Sequence, residues 1–160
     1  MTNRMRVSRR QFLIITCSAA AAPAWAQLPS NITAQRKAAL ADAMREVVGA
    51  APLRTGRVKL DLPPLVDNGN TVPLSVTVES PMTEADHVRA IHVFTEKNPQ
   101  PKVISAQLGP RAGRAFLATR ARIADTGLVI AIAQMSDGSL WIDRVEVVVT
   151  LSACLEEGLI

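Results

Sequence analysis

The sequence predicts a mainly β domain: two antiparallel sheets packed face to face, with one helix at the N-terminal side. Three observations carry this expectation. Apolar or alternating runs of strand length recur from residue 57 to residue 151. Turn residues separate most of them. A single segment before them has helical spacing, and no strand–helix alternation supports a parallel sheet.

The chain begins with a segment that is not expected to belong to the domain. Ser8-Arg9-Arg10-Gln11-Phe12-Leu13 pairs two arginines with a following Phe-Leu, the pattern of a twin-arginine (Tat) export signal. A short apolar run from Leu13 to Ala22 follows, then Ala24-Trp25-Ala26, a small-x-small site for cleavage after Ala26. A membrane anchor is the competing reading, but a spanning helix needs roughly 20 apolar residues. This run is shorter and ends at Pro23. The expected organisation is therefore 1–26 signal peptide, 27–56 helix and linker, 57–151 β domain, and 152–160 tail, with the mature protein in the periplasm and no membrane attachment after cleavage.

Removing the leader changes the composition. The chain has 18 basic and 14 acidic residues, a net charge of +4. Arg4, Arg6, Arg9 and Arg10 all lie in the leader, which has no acids, so the mature part is balanced at 18 − 4 = 14 against 14. No basic stripe survives to favour nucleic acid or an anionic membrane. Of the two cysteines, Cys17 leaves with the leader and Cys154 remains. An internal disulfide is then impossible, and a leftover cysteine in an exported protein implies intermolecular pairing, a reactive thiol, or a buried inert residue.

The mature 134 residues (160 − 26) suit one domain with one core. Leu40, Met44, Val47 and Val48 recur at spacings of three and four between charged residues, which predicts a helix over Ser30–Val48. Ser30 or Thr33 is the expected N-cap and Gly49 the stop, with the helix across one end or edge of the domain. Strands are expected at Arg57–Leu62, Thr71–Glu79, Val88–Thr95, Lys102–Leu108, Arg114–Ile123, Gly127–Ala133 and Leu140–Leu151. Between them lie Asp67-Asn68-Gly69-Asn70, Asn98-Pro99-Gln100-Pro101, Gly109-Pro110-Arg111-Ala112-Gly113 and Ser136-Asp137-Gly138-Ser139, each a turn or loop signal. About seven short strands with evenly spaced turns make the expected class an all-β, immunoglobulin-like antiparallel β-sandwich with one N-terminal helix.

Few residues suit catalysis, and no cofactor is expected. The glycines around Pro110 lead into another strand rather than a helix, and Pro110 removes an amide that a phosphate needs. His87 and His92 are five positions apart and would face opposite ways on one strand, with no ligand at metal spacing. No G-x-S-x-G supports a serine triad. Met82, Met135 and Trp141 form no Met-rich cluster for Cu(I), so packing is expected of them. What remains is Cys154, just beyond the last predicted strand. A thiol on a short tail is available to another protein's active site as a core thiol is not. Its chemistry needs the thiolate, which positive charge favours. Glu156 and Glu157 oppose that locally, so a partner would supply the positive field. An enzymatic role for the thiol lacks the adjacent His or helix N-terminus such nucleophiles use.

Several segments together resemble a known family. Asn68-Gly69-Asn70-Thr71-Val72-Pro73-Leu74, Glu79-Ser80-Pro81-Met82-Thr83, Val88-Arg89-Ala90-Ile91-His92-Val93-Phe94, Leu108-Gly109-Pro110-Arg111-Ala112-Gly113 and Met135-Ser136-Asp137-Gly138-Ser139 resemble SoxY, the sulfur carrier subunit of bacterial thiosulfate oxidation. The resemblance implies a non-enzymatic carrier that pairs with a SoxZ-like subunit. It implies thiosulfate-derived intermediates held on Cys154 and shown to a c-type cytochrome, a sulfate-releasing hydrolase and a sulfur dehydrogenase. The family arm reads G-G-C-G-G, whereas Ser152, Ala153, Leu155 and Glu156 stand around Cys154 here. That difference keeps open a binding module that pairs with a SoxZ-like subunit and carries no sulfur itself. Because Tat exports folded proteins and no cofactor site is evident, assembly with a partner before export is the expected reason for this route.

Overall fold

In the smaller of the two sheets, the alternation in the sequence decides which face is buried. A computed structural model describes residues 28–151, and those from Thr33 onward fall in one compact unit. In order, the elements are α1 (Leu28–Val48), β1 (Leu53–Arg54), β2 (Val58–Asp61), β3 (Leu65–Asn68), β4 (Val72–Val78), β5 (Val88–Thr95), β6 (Lys102–Gln107), β7 (Ala115–Ala121), β8 (Gly127–Met135) and β9 (Leu140–Leu151), with a 3-10 turn at Pro110–Ala112. Six strands form one sheet, in the order β1-β9-β8-β5-β6 with β3 also against β9; β2-β4-β7 form the other. The expected immunoglobulin-like sandwich with one N-terminal helix is thus present.

Strict alternation builds the three-stranded sheet. Val58 and Leu60 of β2, Val72, Leu74, Val76 and Val78 of β4, and Ala115 and Ala121 of β7 point inward. Pro73 interrupts β4 without harm, because β2 pairs with β4 only over Ser75–Val78 and leaves Pro73 a single neighbour. Facing these residues, Ile91, Val93, Val129, Ala131, Ala133, Val147 and Val149 complete the core, with Met82 and Met135 inside it. The methionines are packing residues, as expected.

β8 differs in being buried on both faces from Val129 to Ala133. Its second face is covered by α1. Leu40 joins Phe94, Ile130, Ile132, Leu140 and Ile142 in a second cluster, flanked by Ala43, Met44, Val47 and Val48. The helix therefore lies on the outer face of the large sheet and not at an end or edge. A face this apolar in the middle of a sheet needs a cover, and α1 presents the matching stripe. Gly49 ends the helix at φ 59°, its N–H donating to the Arg45 carbonyl at 2.8 Å. The helix starts at Leu28, so Ser30 and Thr33 lie inside it and are not its N-cap.

Nine strands replace the expected seven, and the sheet is not purely antiparallel. β1 and β3 both run parallel to β9, at Leu53↔Leu140 and at Leu65↔Val148 to Asn68↔Leu151. β1 has two residues, too few to show alternation. β3 follows Pro63-Pro64 and buries only Val66, and its Asp67-Asn68 reads locally as a turn. Between them the chain crosses into the other sheet as β2. One carboxylate spans that crossing: Leu60 N–H donates to Asp143 Oδ2 at 2.8 Å, and Arg144 N–H donates to Asp143 Oδ1 at 2.8 Å.

Asp143→Ala strands the part-buried Leu60 N–H, which costs about 1–3 kcal/mol. Asp143→Asn keeps an acceptor and loses less. Urea denaturation midpoints of the two variants measure the difference.

Candidate functional site

The last strand sets where the tail leaves the domain. β9 has twelve residues and both of its edges are used. β8 pairs with it from Gly127↔Val147 to Gln134↔Leu140, while β1 and β3 take the two ends of the opposite edge. Its final turn of chain is fastened by side chains as well. Val149 N–H donates to Thr126 Oγ1 at 3.0 Å, and that hydroxyl reaches the Val149 carbonyl at 3.4 Å. Thr150 Oγ1 donates to the Asp67 carbonyl at 3.2 Å. Asn68, partner of Leu151, holds its own turn by accepting from Asn70 N–H at 2.9 Å.

Cys154 follows Leu151 by three residues. Cys154, Ser152, Ala153 and Leu155 lie outside the described residues, as do Arg9, Arg10 and the cleavage site after Ala26. The loops flanking the end of β9 are tied to each other. Ile123 N–H donates to the Gly69 carbonyl at 2.8 Å, and Asn98 accepts from Ala124 N–H and donates to the Arg122 carbonyl, both at 2.8 Å. Lys97 pairs with Glu96 at 3.8 Å.

The other candidates have structural partners. His87 lies before β5, its Nδ1 3.0 Å from the Thr83 carbonyl. His92 is on β5 with Nδ1 2.7 Å from Ser105 Oγ, and its ring sits 6.5 Å from that of Phe94. No group of three His, Cys, Asp or Glu side chains comes together among the described residues. Trp141 donates its indole N–H to Ser139 Oγ at 3.1 Å, and Arg57 lies 5.2 Å from its ring centre. No helix among them is long and apolar enough to cross a membrane. Sequence reading missed Thr126 and Asp143, since a Thr in a loop and an Asp in a strand carry no motif.

These features define the class: a two-sheet, helix-covered β-sandwich that pairs its last strand on both edges. The chain belongs to the SoxY family. The family described as sulfur oxidation protein SoxY matches residues 44–154. No curated protein matches the chain in sequence. Among solved structures, the chain is similar to the sulfur carrier protein SoxY from Chlorobium limicola f thiosulfatophilum, with 28% identity and a TM-score of 0.59, covering 71% of this chain and 98% of that one. It is also similar to a superoxide reductase (neelaredoxin) from Ignicoccus hospitalis, at 19% identity and a TM-score of 0.53, covering 68% and 90%. The second likeness is one of fold.

His92 makes stability depend on pH. Burial, then the nearby Lys102 charge, hold its imidazole below the ordinary value, with Glu46 opposing. The unfolded chain then binds the proton more readily, so stability is full above about pH 6.5 and falls as the pH drops below it. His92→Gln flattens that fall, read as urea midpoints at pH 7.5 and 5.5 (chosen to bracket the imidazole value).

Proposed function

We propose that the mature protein is a sulfur carrier whose attachment point is the Cys154 thiol. The observation that carries this reading is the position of the cysteine: three residues beyond a strand fastened on both edges, at the last position of the family match. The strand that precedes it is paired on both edges. Loading joins the Cys154 sulfur to the outer sulfur of thiosulfate, and the new S–S bond releases two electrons and the thiol proton. An electron acceptor is required, and a c-type cytochrome of the Sox system is the partner of that class. A sulfate-releasing hydrolase and a sulfur dehydrogenase act on the loaded arm in turn. Holding the cargo covalently gives it a high effective concentration at each bound enzyme.

The replacement of the arm's glycines by Ser152, Ala153, Leu155 and Glu156 favours a second reading. A stiffer, bulkier arm fits narrow channels less well, and the chain then serves as a module that pairs with a SoxZ-like subunit without carrying sulfur. Intact mass after incubation with thiosulfate and an oxidising cytochrome decides between them. The carrier reading expects a thiol-reversible adduct on Cys154 and loss of thiosulfate-dependent growth in a Cys154→Ser strain. No adduct and unimpaired growth leave the pairing module.

Export follows the same logic. If the SoxZ-like subunit has no signal of its own and assembles before export, Arg9→Lys with Arg10→Lys strands both chains in the cytoplasm. Cell fractionation tests this, and a partner that reaches the periplasm alone refutes it.

A further inference from the structure

A second site lies far from the tail. On the outer face of the large sheet, beside the part that α1 covers, Ala90 of β5 is the register partner of Gln107 on β6 and of Gln134 on β8. Directly opposed residues in antiparallel strands share a face, so two carboxamides flank one methyl group. The gap above Ala90 is a cavity of about 350 Å³, walled by His87, Arg89 and Pro110 as well. That volume is at the small end of ligand pockets, roughly 300–1,000 Å³.

The donors in this pocket are unspent. Among the described residues the side chains of Arg89, Gln107 and Gln134 make no hydrogen bond or ion pair. Gln134 is half-buried in a strand that is otherwise apolar from Leu128 to Met135, with its carboxamide still open to solvent. No carboxylate lines the cavity. The nearby Asp86 faces Arg57 at 3.8 Å. Around the gap the frame is pinned: Leu108 N–H donates to the Arg89 carbonyl at 2.9 Å, Ser136 N–H to the His87 carbonyl at 2.8 Å, and His87 N–H to Ser136 Oγ at 3.1 Å. A guanidinium and two amide donors over an apolar floor, with no competing anion, match one ligand chemistry.

We propose that this pocket binds the oxyanion group of a small anion, with Arg89 supplying the charge and the Gln107 and Gln134 amides donating from either side. The floor at Ala90 leaves room for a short organic body, so the anion is inorganic sulfate-like or a small carboxylate or sulfonate. The site lies away from the end of β9. Gln134 is paired with the first residue of β9, and Leu151 lies eleven residues further on, roughly 35 Å along the strand.

Nitrogen-15 NMR of the full chain tests this by titration with sodium sulfate, sodium methanesulfonate and sodium acetate against sodium chloride at matched ionic strength. Saturable shifts confined to the Arg89 Nε–H and to the Gln107 and Gln134 amide groups are expected for at least one of the three oxyanions. Tighter sulfate binding identifies an inorganic ligand, and tighter methanesulfonate or acetate binding an organic one. Arg89→Gln weakens binding by at least about tenfold, because a hydrogen bond to a charged group is lost. Arg89 is exposed, so this variant keeps the fold, and its remaining resonances report that directly. Ala90→Leu fills the floor and blocks binding where it folds. Shifts equal to those in chloride, shifts that never saturate, or undiminished affinity in Arg89→Gln overturn the proposal. Cys154→Ser leaves the site unchanged, so loss of sulfur loading and loss of anion binding are separate results.

Discussion

Strand β9 takes partners on both of its edges. It runs through the large sheet with β8 along one side, and the other side would present a row of unpaired amides and carbonyls. The chain resolves this with two short segments, β1 and β3, each parallel to β9 and set at its opposite ends. Between the two, the chain leaves for the other sheet as β2. The segment before β4 thereby ties the two sheets together, and Asp143 meets it halfway.

The positions of helix and tail follow from that strand. On the outer face of β9, Leu140 and Ile142 lie under α1, and the cover ends there. Beyond it Arg144, Glu146, Val148 and Thr150 are exposed, and Val148 sits beside the exposed Leu65 of β3. The domain is thus covered at the start of β9 and bare towards the tail.

The sites differ in how far a linear reading reaches them. Cys154 stands out because, on the expectation that residues 1–26 are cleaved, counting alone isolates it. Thr126 and Asp143 cannot be found that way, because each satisfies a backbone group 23 or 83 positions away. The Arg89 pocket is hidden for a similar reason. Gln107 and Gln134 are ordinary surface residues until the register of β5 with β6 and β8 sets them on either side of one alanine.

Period-two burial was written in the sequence for β2, β4 and β7, because each needs only its own alternation to declare an inward face. The helix was equally plain, with its stripe from Leu40 to Val48 and its stop at Gly49, though its start was misplaced by two residues. What tertiary structure alone decided was pairing. β1 and β3 are strands only because β9 offers an edge, and neither has the length or apolar content to signal itself. The site of the helix was decided in the same way: an apolar stripe says that a helix must be covered, and only the doubly buried β8 says where.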